Sequence, residues 1–314
     1  MTAPGRVLRP PQRVARGAWE RSGGGPRWHT RVMPVATLLL AAVIVWYLGC
    51  IGLNSQGAIE RVLAPKGPYT TSELIAATWS IERPVLPAPH QVATDLWTSL
   101  VDWPIGSPRN LLYHVAVTAQ STLVGFVLGS LLGVVLAAAI VHSRTLDRAL
   151  LPWIVASQTV PVLAIAPIVL VILGSLGFAG VAPKAAIAMY LCFFPVTVAM
   201  VQGLRSPQRI ETELMHTYAA SRTQAFWMLR LPAALPFLFP SLRVAIAAGL
   251  VGAMVAELPT GAQAGLGAKL LTGSYYGNTV GIWSALVMSA LLGLLLTATV
   301  AGVERAVMSR RKFA

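Results

Sequence analysis

Polar side chains that could do chemistry are few in this 314-residue chain, and several of them stand inside apolar segments. Two short clusters combine hydroxyl and amide groups, Gln120-Ser121-Thr122 and Ser157-Gln158-Thr159, and the second is followed by Pro161 and Pro167. A proline in an apolar helix frees backbone carbonyls, which are tolerated where another helix or a watery cavity satisfies them. These polar groups therefore either bind a passing solute or bond one helix to another.

Glu257 is an acidic residue at the end of an apolar segment, followed by Leu-Pro-Thr-Gly and then by Gly265-Leu-Gly267. An acid at membrane depth is a functional hypothesis by default. Its position near the end of the segment favours the alternative, a structural hydrogen bond to the following loop. The sequence leaves both interpretations of Glu257 open: a role in gating, and a hydrogen bond that attaches the following loop.

Residue sets for catalysis, metal binding or nucleotide binding do not stand out. Gly265-Leu-Gly267-Ala-Lys269 lacks the spacing of a phosphate-binding loop. Cys50 and Cys192 lie in apolar segments and predict neither a disulfide framework nor a zinc site, so we expect both to be buried. The histidines are dispersed, and we interpret each as an interfacial side chain: His29, His90, His114, His142 and His216. We predict a chain that is not an enzyme and holds no cofactor or metal of its own.

Composition indicates a membrane protein. Hydrophobic residues make up 55% of the chain and charged residues only 11%, whereas a soluble domain carries about 25% charged residues. The net charge of +13 does not indicate nucleic-acid binding, because the Lys and Arg residues stand at the ends of apolar runs rather than on one face of a polar domain.

Six apolar segments approach the length of about 20 residues that a membrane-spanning helix needs. They predict an all-α, polytopic fold with spans at residues 33–53, 115–141, 150–173, 185–204, 241–258 and 283–303. The fifth is short, because only thirteen residues separate Arg243 from Glu257. We expect its charged ends to extend toward the membrane interface.

Lys and Arg residues concentrate in alternate loops, and loops rich in them stay in the cytoplasm. With both termini inside, the predicted cytoplasmic segments hold 18 of the 24. The outer segments hold the other six, namely Arg61, Lys66, Arg83, Arg109, Lys184 and Lys269. This asymmetry predicts cytoplasmic N- and C-termini and places residues 205–240 in the cytoplasm.

The domain organisation follows from these segments. Residues 1–32 form a basic tail with too little apolar surface to fold alone, either solvated or attracted to anionic lipid head groups. Residues 33–304 form the six-helix membrane domain, with an outer loop at 54–114 and a polar cytoplasmic loop at 205–240. Residues 305–314 form a basic cytoplasmic end.

The polar loop carries a run from Glu213 to Pro232, ELMHTYAASRTQAFWMLRLP. This run resembles the coupling loop of permease subunits of bacterial ABC importers, which has Glu-Ala-Ala, three residues, Gly, nine residues, Ile, one residue and Leu-Pro. Its spacing matches at every position, and four residues differ in type: Leu214, Met215, Ala219 and Leu229. We expect a helix of about twenty residues that ends at Pro232, with an apolar face of Met215, Ala219, Phe226 and Leu229.

Two further elements resemble the same family. Leu86-Pro87-Ala88-Pro89 is similar to the Leu-Pro-Ser-Pro element that precedes the second span in the branch for nitrate, sulfonates, taurine and pyrimidine-like compounds. The Pro161 to Pro167 stretch resembles a Pro-x-Leu-Ala-x-x-Pro element of the third span. We expect an extended backbone directly before Pro89. In the stretch that follows, Trp97 and Trp103 should lie in the membrane interface.

The resemblance implies the membrane-spanning subunit of a binding-protein-dependent, ATP-driven importer of the bacterial inner membrane. Two partner subunits would bind ATP and Mg²⁺, an extracytoplasmic protein would deliver the solute, and a second permease chain, identical or a sibling, would complete the path. The implied ATPase-coupling residues are Glu213, Tyr218, Ala219, Ala220, Ser221, Arg222, Leu231 and Pro232. The path candidates are Gln120, Ser121, Ser157, Gln158, Thr159 and Glu257.

Two other classes of membrane protein compete with this interpretation. A transporter driven by an ion gradient would show ionisable residues at mid-membrane and an inverted repeat. A polytopic membrane enzyme would need a cluster of His, Asp or Glu at one membrane face. The sequence favours neither pattern.

Overall fold

The computed structural model describes residues 29–259 and 264–311, and within this part of the chain every regular element is helical. Long helices are α1 (His29–Ala58), α4 (Leu111–His142), α7 (Val181–Leu204), α10 (Leu231–Ala256) and α12 (Thr279–Arg311). Shorter helices are α2 (Thr71–Ser80), α3 (Pro89–Val101), α5 (Arg144–Ser157), α6 (Val162–Ser175), α8 (Arg209–Thr217), α9 (Arg222–Ala225) and α11 (Leu266–Tyr275). The predicted basic tail at residues 1–32 lies outside the described residues except for 29–32, which begin α1.

Packing divides the chain into two units, residues 1–48 and residues 49–314. In the described part of the first unit, the apolar side chains of α1 are largely exposed, Leu38 at 71% among them. Such a surface suits contact with lipid, because hydrocarbon chains are as apolar as leucine side chains. The second unit contains the remaining helices and the buried core.

Five helical segments in the described chain are long and apolar enough to cross a membrane, and a bent pair of helices raises the number to six. The predicted all-α polytopic fold is confirmed. The third predicted span, residues 150–173, is not one continuous helix: α5 ends at Ser157, α6 begins at Val162, and the two axes differ by 103°. Pro161 lies at this break in an extended conformation directly before α6, whereas Pro152 and Pro167 lie inside α5 and α6.

The fifth span is longer than predicted. Helix α10 begins at Leu231 rather than near residue 241, and with the preceding turns it gives an apolar helical segment of 35 residues, Arg222–Ala256. Arg243 therefore lies inside the helix and not at its end. Glu304 of α12 forms an ion pair with Arg243, and this neutralises the charge within the packed helices.

The core is centred on α4, α7 and α10, and small residues bring α4 and α7 into close contact. Gly125, Gly129 and Gly133 recur at four-residue spacing on the face of α4 that meets α7. A methyl group added at Gly129 would stand 2.6 Å from the Cβ atom of Cys192. Glycine at this spacing lets two helix backbones approach, as is common among membrane helices. Cys50 and Cys192 are both free and buried, as predicted.

The outer segment is ordered by helix caps and a buried amide. Thr70 caps α2 by accepting a hydrogen bond from Glu73 N, and Pro89 starts α3 after an extended Ala88. The side chain of Asn54 is buried and bonds Thr78 O and Leu86 O through Nδ2, while its Oδ1 accepts from Val85 N. The extended chain predicted ahead of Pro89 is confirmed, and α3 follows it.

Candidate functional site

The polar loop between α7 and α10 contains two helices instead of the single one that the sequence predicts. Helix α8 ends at Thr217, and a second helical segment begins at Arg222 and continues through a π-helical turn, Phe226–Arg230. Pro232 does not end a helix but stands in the first turn of α10, directly after the π-helical turn. The prediction of one helix from Glu213 to Pro232 is therefore wrong.

The interruption is centred on Ala219. It has φ of +52°, the only positive φ angle of a non-glycine residue among those the structure describes. Ala220 N donates to Met215 O and Ala219 N donates to His216 O, both at 2.9 Å. This is the hydrogen-bond pattern of a Schellman helix end, whose left-handed position usually holds glycine. Ala219 thus adopts the conformation that the glycine of the family pattern would supply.

Both helices of the loop have side-chain caps. Glu211 accepts a hydrogen bond from Gln208 N at 2.7 Å at the start of α8. Ser221 and Gln224 cap α9 reciprocally, with Gln224 N donating to Ser221 Oγ and Ser221 N donating to Gln224 Oε1. These bonds satisfy donors that have no partner within the helix, which fixes where each helix begins.

An apolar stripe on α8 and its end is exposed to solvent. Ile210, Leu214 and Tyr218 are spaced four residues apart and are 70%, 55% and 77% exposed. The residues of the predicted apolar face are not part of this stripe: Met215, Phe226 and Leu229 are partly buried, and Ala219 is exposed at the turn. An amphipathic helix that exposes apolar side chains at this spacing is suited to lie in a groove on another protein.

A second polar cluster lies where the C-terminus of α10 meets α4, α7 and the start of α11. Glu257 is fully buried and lies 3.4 Å from Lys184 Nζ. Its carboxylate accepts hydrogen bonds from Thr118 Oγ1 at 2.9 and 3.0 Å and from Gly267 N at 2.9 Å. A charged group in the interior needs such partners, because burial without them is costly.

The same cluster anchors the chain that follows α10. Lys184 Nζ donates to Ala264 O at 2.7 Å, and Leu266 N donates to Thr118 Oγ1 at 2.8 Å. Gly265 has φ of +130°, and a Cβ atom there would stand 2.1 Å from the carboxyl carbon of Glu257. Glycine is therefore required at this position both for its backbone angle and for space.

His114 belongs to the edge of this cluster. It is 5% exposed, its Nε2 lies 2.8 Å from Pro108 O, and its Nδ1 lies 3.1 Å from Gly265 N. The two ring nitrogens thus contact backbone groups of two separate segments, Pro108 before α4 and Gly265 before α11. The prediction of an interfacial side chain is wrong for His114, because both ring nitrogens are used inside the protein.

Residues 129–311 match the model of the family described as binding-protein-dependent transport system inner membrane component. This match covers more than half of the chain. The chain belongs to this family. It is a multi-pass inner membrane protein and a permease component of an ABC importer, and the resemblance inferred from the coupling loop is confirmed.

Several named relatives align with most of this permease. The formylaminopyrimidine transport permease protein ThiX of Halalkalibacterium halodurans is 30% identical over 242 residues, which cover 76% of this chain and 93% of the relative. The riboflavin transport system permease protein RibX of Chloroflexus aurantiacus is 32% identical over 221 residues, covering 70% and 78%. The taurine transport system permease protein TauC of Escherichia coli is 27% identical over 252 residues, covering 80% and 87%.

Membership of this family also bears on the chemistry of the permease. In such systems the ATPase is a separate subunit and a binding protein works with the membrane component. The permease itself is a transport component without a cofactor, as its sequence predicts. Its helices therefore have to receive work from a partner rather than generate it.

The structure places the predicted coupling residues together at one end of the helices. Glu213 is exposed and pairs with Arg209 at 2.7 Å. Tyr218, Ala219 and Ser221 are also exposed. Ala220, Leu231 and Pro232 are partly buried where the loop joins α10. The roles of these residues in coupling stay predictions.

The predicted path residues fall into two environments. Gln158 and Thr159 are exposed at the break between α5 and α6, and Gln120 is exposed on α4. Ser157 is partly buried, and its carbonyl accepts a hydrogen bond from Tyr190 Oη. Ser121 is buried and donates to Val117 O in its own helix, and Glu257 is in the buried cluster.

Sequence reasoning missed Lys184, Thr118 and Ile210 as site residues. Lys184 counted only as an outer-loop charge, and 73 positions separate it from Glu257, so no spacing pattern connects the two. Ile210 and Leu214 could have been found from their four-residue spacing with Tyr218. Thr118 could not, because a single threonine in an apolar helix carries no periodic signal.

Proposed function

We propose that this permease forms the translocation path for a small solute of the nitrate, sulfonate, taurine or pyrimidine-like class, driven by two ATPase subunits that dock on its coupling loop. Two permease chains enclose the path, and an extracytoplasmic binding protein delivers the solute to the outer segment. The coupling loop and both termini face the cytoplasm. The exposed apolar stripe of Ile210, Leu214 and Tyr218 is the observation that carries this proposal.

Docking on this stripe supplies the mechanical connection. The stripe belongs to α8, and α9 leads through the π-helical turn Phe226–Arg230 directly into α10. Because α10 packs on α7 and α4 in the core, a push on the loop moves the central helices of the permease. Alternating access then needs only that the ATP-bound and ATP-free partners favour different positions of the loop.

The break between α5 and α6 supports the location of the path. Irregular backbone at membrane depth is tolerated where it lines a cavity or is buried in protein, and transporters often place solute sites at such discontinuous helices. Gln158 and Thr159 are exposed there and offer amide and hydroxyl groups. We assign them, with Ser157 and Gln120, to the lining, and we assign Ser121 and Glu257 to the support behind it, since their contacts are internal.

Among the aligned relatives, one is named for riboflavin, which lies outside this substrate class, and three support the class by their names, which are formylaminopyrimidine, taurine and nitrate transport. Each is a small polar solute. The weakly polar lining proposed here fits a permease that leaves selection to the binding protein.

Uptake in proteoliposomes tests the proposal. The permease is reconstituted with its ATPase and binding protein, and uptake of labelled taurine, nitrate and formylaminopyrimidine is measured with and without ATP. We expect one of them to accumulate only when all components and ATP are present. Accumulation by the permease alone under an ion gradient would contradict the proposal and favour a secondary transporter.

A single variant isolates the docking step. Leu214→Asp places a charge in the exposed stripe, and we expect loss of ATPase co-purification and at least a tenfold fall in uptake, because a buried unpaired charge opposes docking. Val307→Asp is the matched control, since Val307 is also an exposed apolar residue but lies on α12. Equal ATPase retention by the two variants would refute docking on α8.

A further inference from the structure

A cavity of about 350 Å³ lies behind the coupling helices, within the range of about 300–1,000 Å³ typical of small-molecule sites. Three parts of the chain enclose it: the end of α4, helix α8 and the segment from α9 through the π-helical turn. Its lining includes two arginines, two histidines and a threonine, namely Arg222, Arg230, His142, His216 and Thr212. The other lining residues are apolar, so no carboxylate faces the cavity.

The two arginines of this cavity differ from the other arginines of the loop and its flanks. Arg205 pairs with Asp147 at 2.9 Å, Arg209 pairs with Glu213, and Arg243 pairs with Glu304. For Arg222 and Arg230, in contrast, the described part of the chain provides no ion pair. The arginines between residues 205 and 243 that lack a carboxylate partner in the described chain are thus the same two that line this partly open cavity.

Uncompensated guanidinium groups around a cavity attract an anion. Guanidinium presents a planar set of N–H donors that matches the oxygens of a phosphate group, often in pairs. The His142 ring is held in place, with Nδ1 2.8 Å from Ala138 O and its centroid 4.9 Å from that of Phe226. The cavity wall is therefore preorganised on the α4 side as well as charged.

We propose that this cavity binds a phosphate group, supplied by the head group of an anionic phospholipid or by free phosphate. A bound anion would bridge Arg222 and Arg230 to the α4–α8 side of the cavity. It would brace the coupling helices against α4, on the side opposite to the exposed stripe. This inference does not depend on which solute is transported. The proposed orientation decides only which membrane leaflet would supply the lipid.

Native mass spectrometry and thermal unfolding of the permease with its ATPase subunits test the site. One arm uses nanodiscs of phosphatidylcholine with and without phosphatidylglycerol, which carries a phosphate diester on an anionic head group. The other arm adds inorganic phosphate to nanodiscs of phosphatidylcholine alone. Retained phosphatidylglycerol indicates a lipid source, and stabilisation by inorganic phosphate indicates a soluble one.

The variants separate binding in the cavity from general attraction of lipid. Arg222→Gln with Arg230→Gln should weaken binding about tenfold or more, because two charge-assisted hydrogen-bonding groups are lost. Arg148→Gln with Arg305→Gln removes the same charge from exposed arginines outside the cavity and should leave binding within about twofold. Binding that responds equally to the two double variants would overturn the proposal.

A steric variant keeps the test decisive if removal of both arginines prevents assembly. Ala220 lines the cavity, and Ala220→Phe fills the space while it leaves every charge in place. We expect this variant to lose the bound lipid or the phosphate-dependent stabilisation. Full binding by Ala220→Phe would show that the anion lies elsewhere and would also overturn the proposal.

Discussion

Lys184 Nζ lies 3.4 Å from Glu257 Oε1, and this ion pair joins the start of α7 to the end of α10 in the protein interior. The two side chains are 10% and 0% exposed, so neither charge is stabilised by bulk water. Thr118 and Gly267 complete the hydrogen bonding of the carboxylate, and Ala264 accepts from the ammonium group. The pair therefore holds α4, α7, α10 and the start of α11 at one point.

Removal of one charge of this pair should be more harmful than removal of both. Glu257→Gln leaves Lys184 buried without a counter-charge, and loss of one partner of a buried pair costs about 3–5 kcal/mol. We expect Lys184→Met with Glu257→Gln to regain at least half of the stability lost by Glu257→Gln. Unfolding in a denaturing detergent titration measures both, and additive losses would show that the two residues do not interact.

Ala219→Gly should stabilise the coupling loop. A left-handed conformation costs a non-glycine residue about 1–2 kcal/mol, whereas glycine adopts it freely at the cost of some entropy in the unfolded chain. We expect slower hydrogen exchange of the α8 amides. Ala225→Gly is the control, because Ala225 is helical and glycine there should destabilise by about 1 kcal/mol. Faster exchange in Ala219→Gly would contradict the left-handed turn.

Gly129→Ala should force α4 and α7 apart. The new methyl group would stand 2.6 Å from Cys192 Cβ and 2.7 Å from Met189 O, and overpacking of this kind costs about 1–3 kcal/mol. Gly302→Ala adds the same methyl group on α12 where nothing lies within 4 Å. The apparent unfolding temperature should fall for the first variant and stay level or rise slightly for the second, because alanine is the better helix former. A similar effect of both would argue against the tight contact.

Swapping the charges of Arg243 and Glu304 together should be tolerated better than reversing the charge of Arg243 alone. Arg243→Glu places two carboxylates together between α10 and α12, which repels the helices. Adding Glu304→Arg restores an ion pair in which the two charges have exchanged positions. We expect membrane expression and unfolding temperature to fall in the single variant and to recover in the double variant. Failure to recover would mean that the surroundings, not the pair, require arginine at position 243.

Cysteine labelling should place the coupling loop and α11 on opposite sides of the membrane. The native cysteines are buried, so an introduced cysteine gives the signal. Tyr218→Cys and Tyr275→Cys replace side chains that are 77% and 73% exposed. A membrane-impermeant maleimide should label Tyr275→Cys in intact spheroplasts and Tyr218→Cys only after lysis. The reverse pattern would invert the proposed orientation.

The sequence by itself determined the class of fold and the family, because both depend on local or regularly spaced signals. Apolar runs of membrane length predicted the helices, and the spacing from Glu213 to Pro232 indicated the family. The local backbone geometry within these segments was harder to predict from the sequence. The break at Pro161 and the turn at Ala219 depend on single residues whose conformation competes with helical periodicity. The bend in the third span was therefore not predicted, and the single helix predicted from Glu213 to Pro232 was wrong.

Only the tertiary structure decided which polar residues meet. Lys184, Glu257 and Thr118 come from three helices, and Arg243 meets Glu304 across 61 positions. Such contacts depend on how helices rotate and pack, and small residues such as Gly129 set that packing. A charge between apolar segments looks the same in sequence whether it ends a span or lies paired inside one. The physical difference is the partner, and the partner is brought near only by the fold.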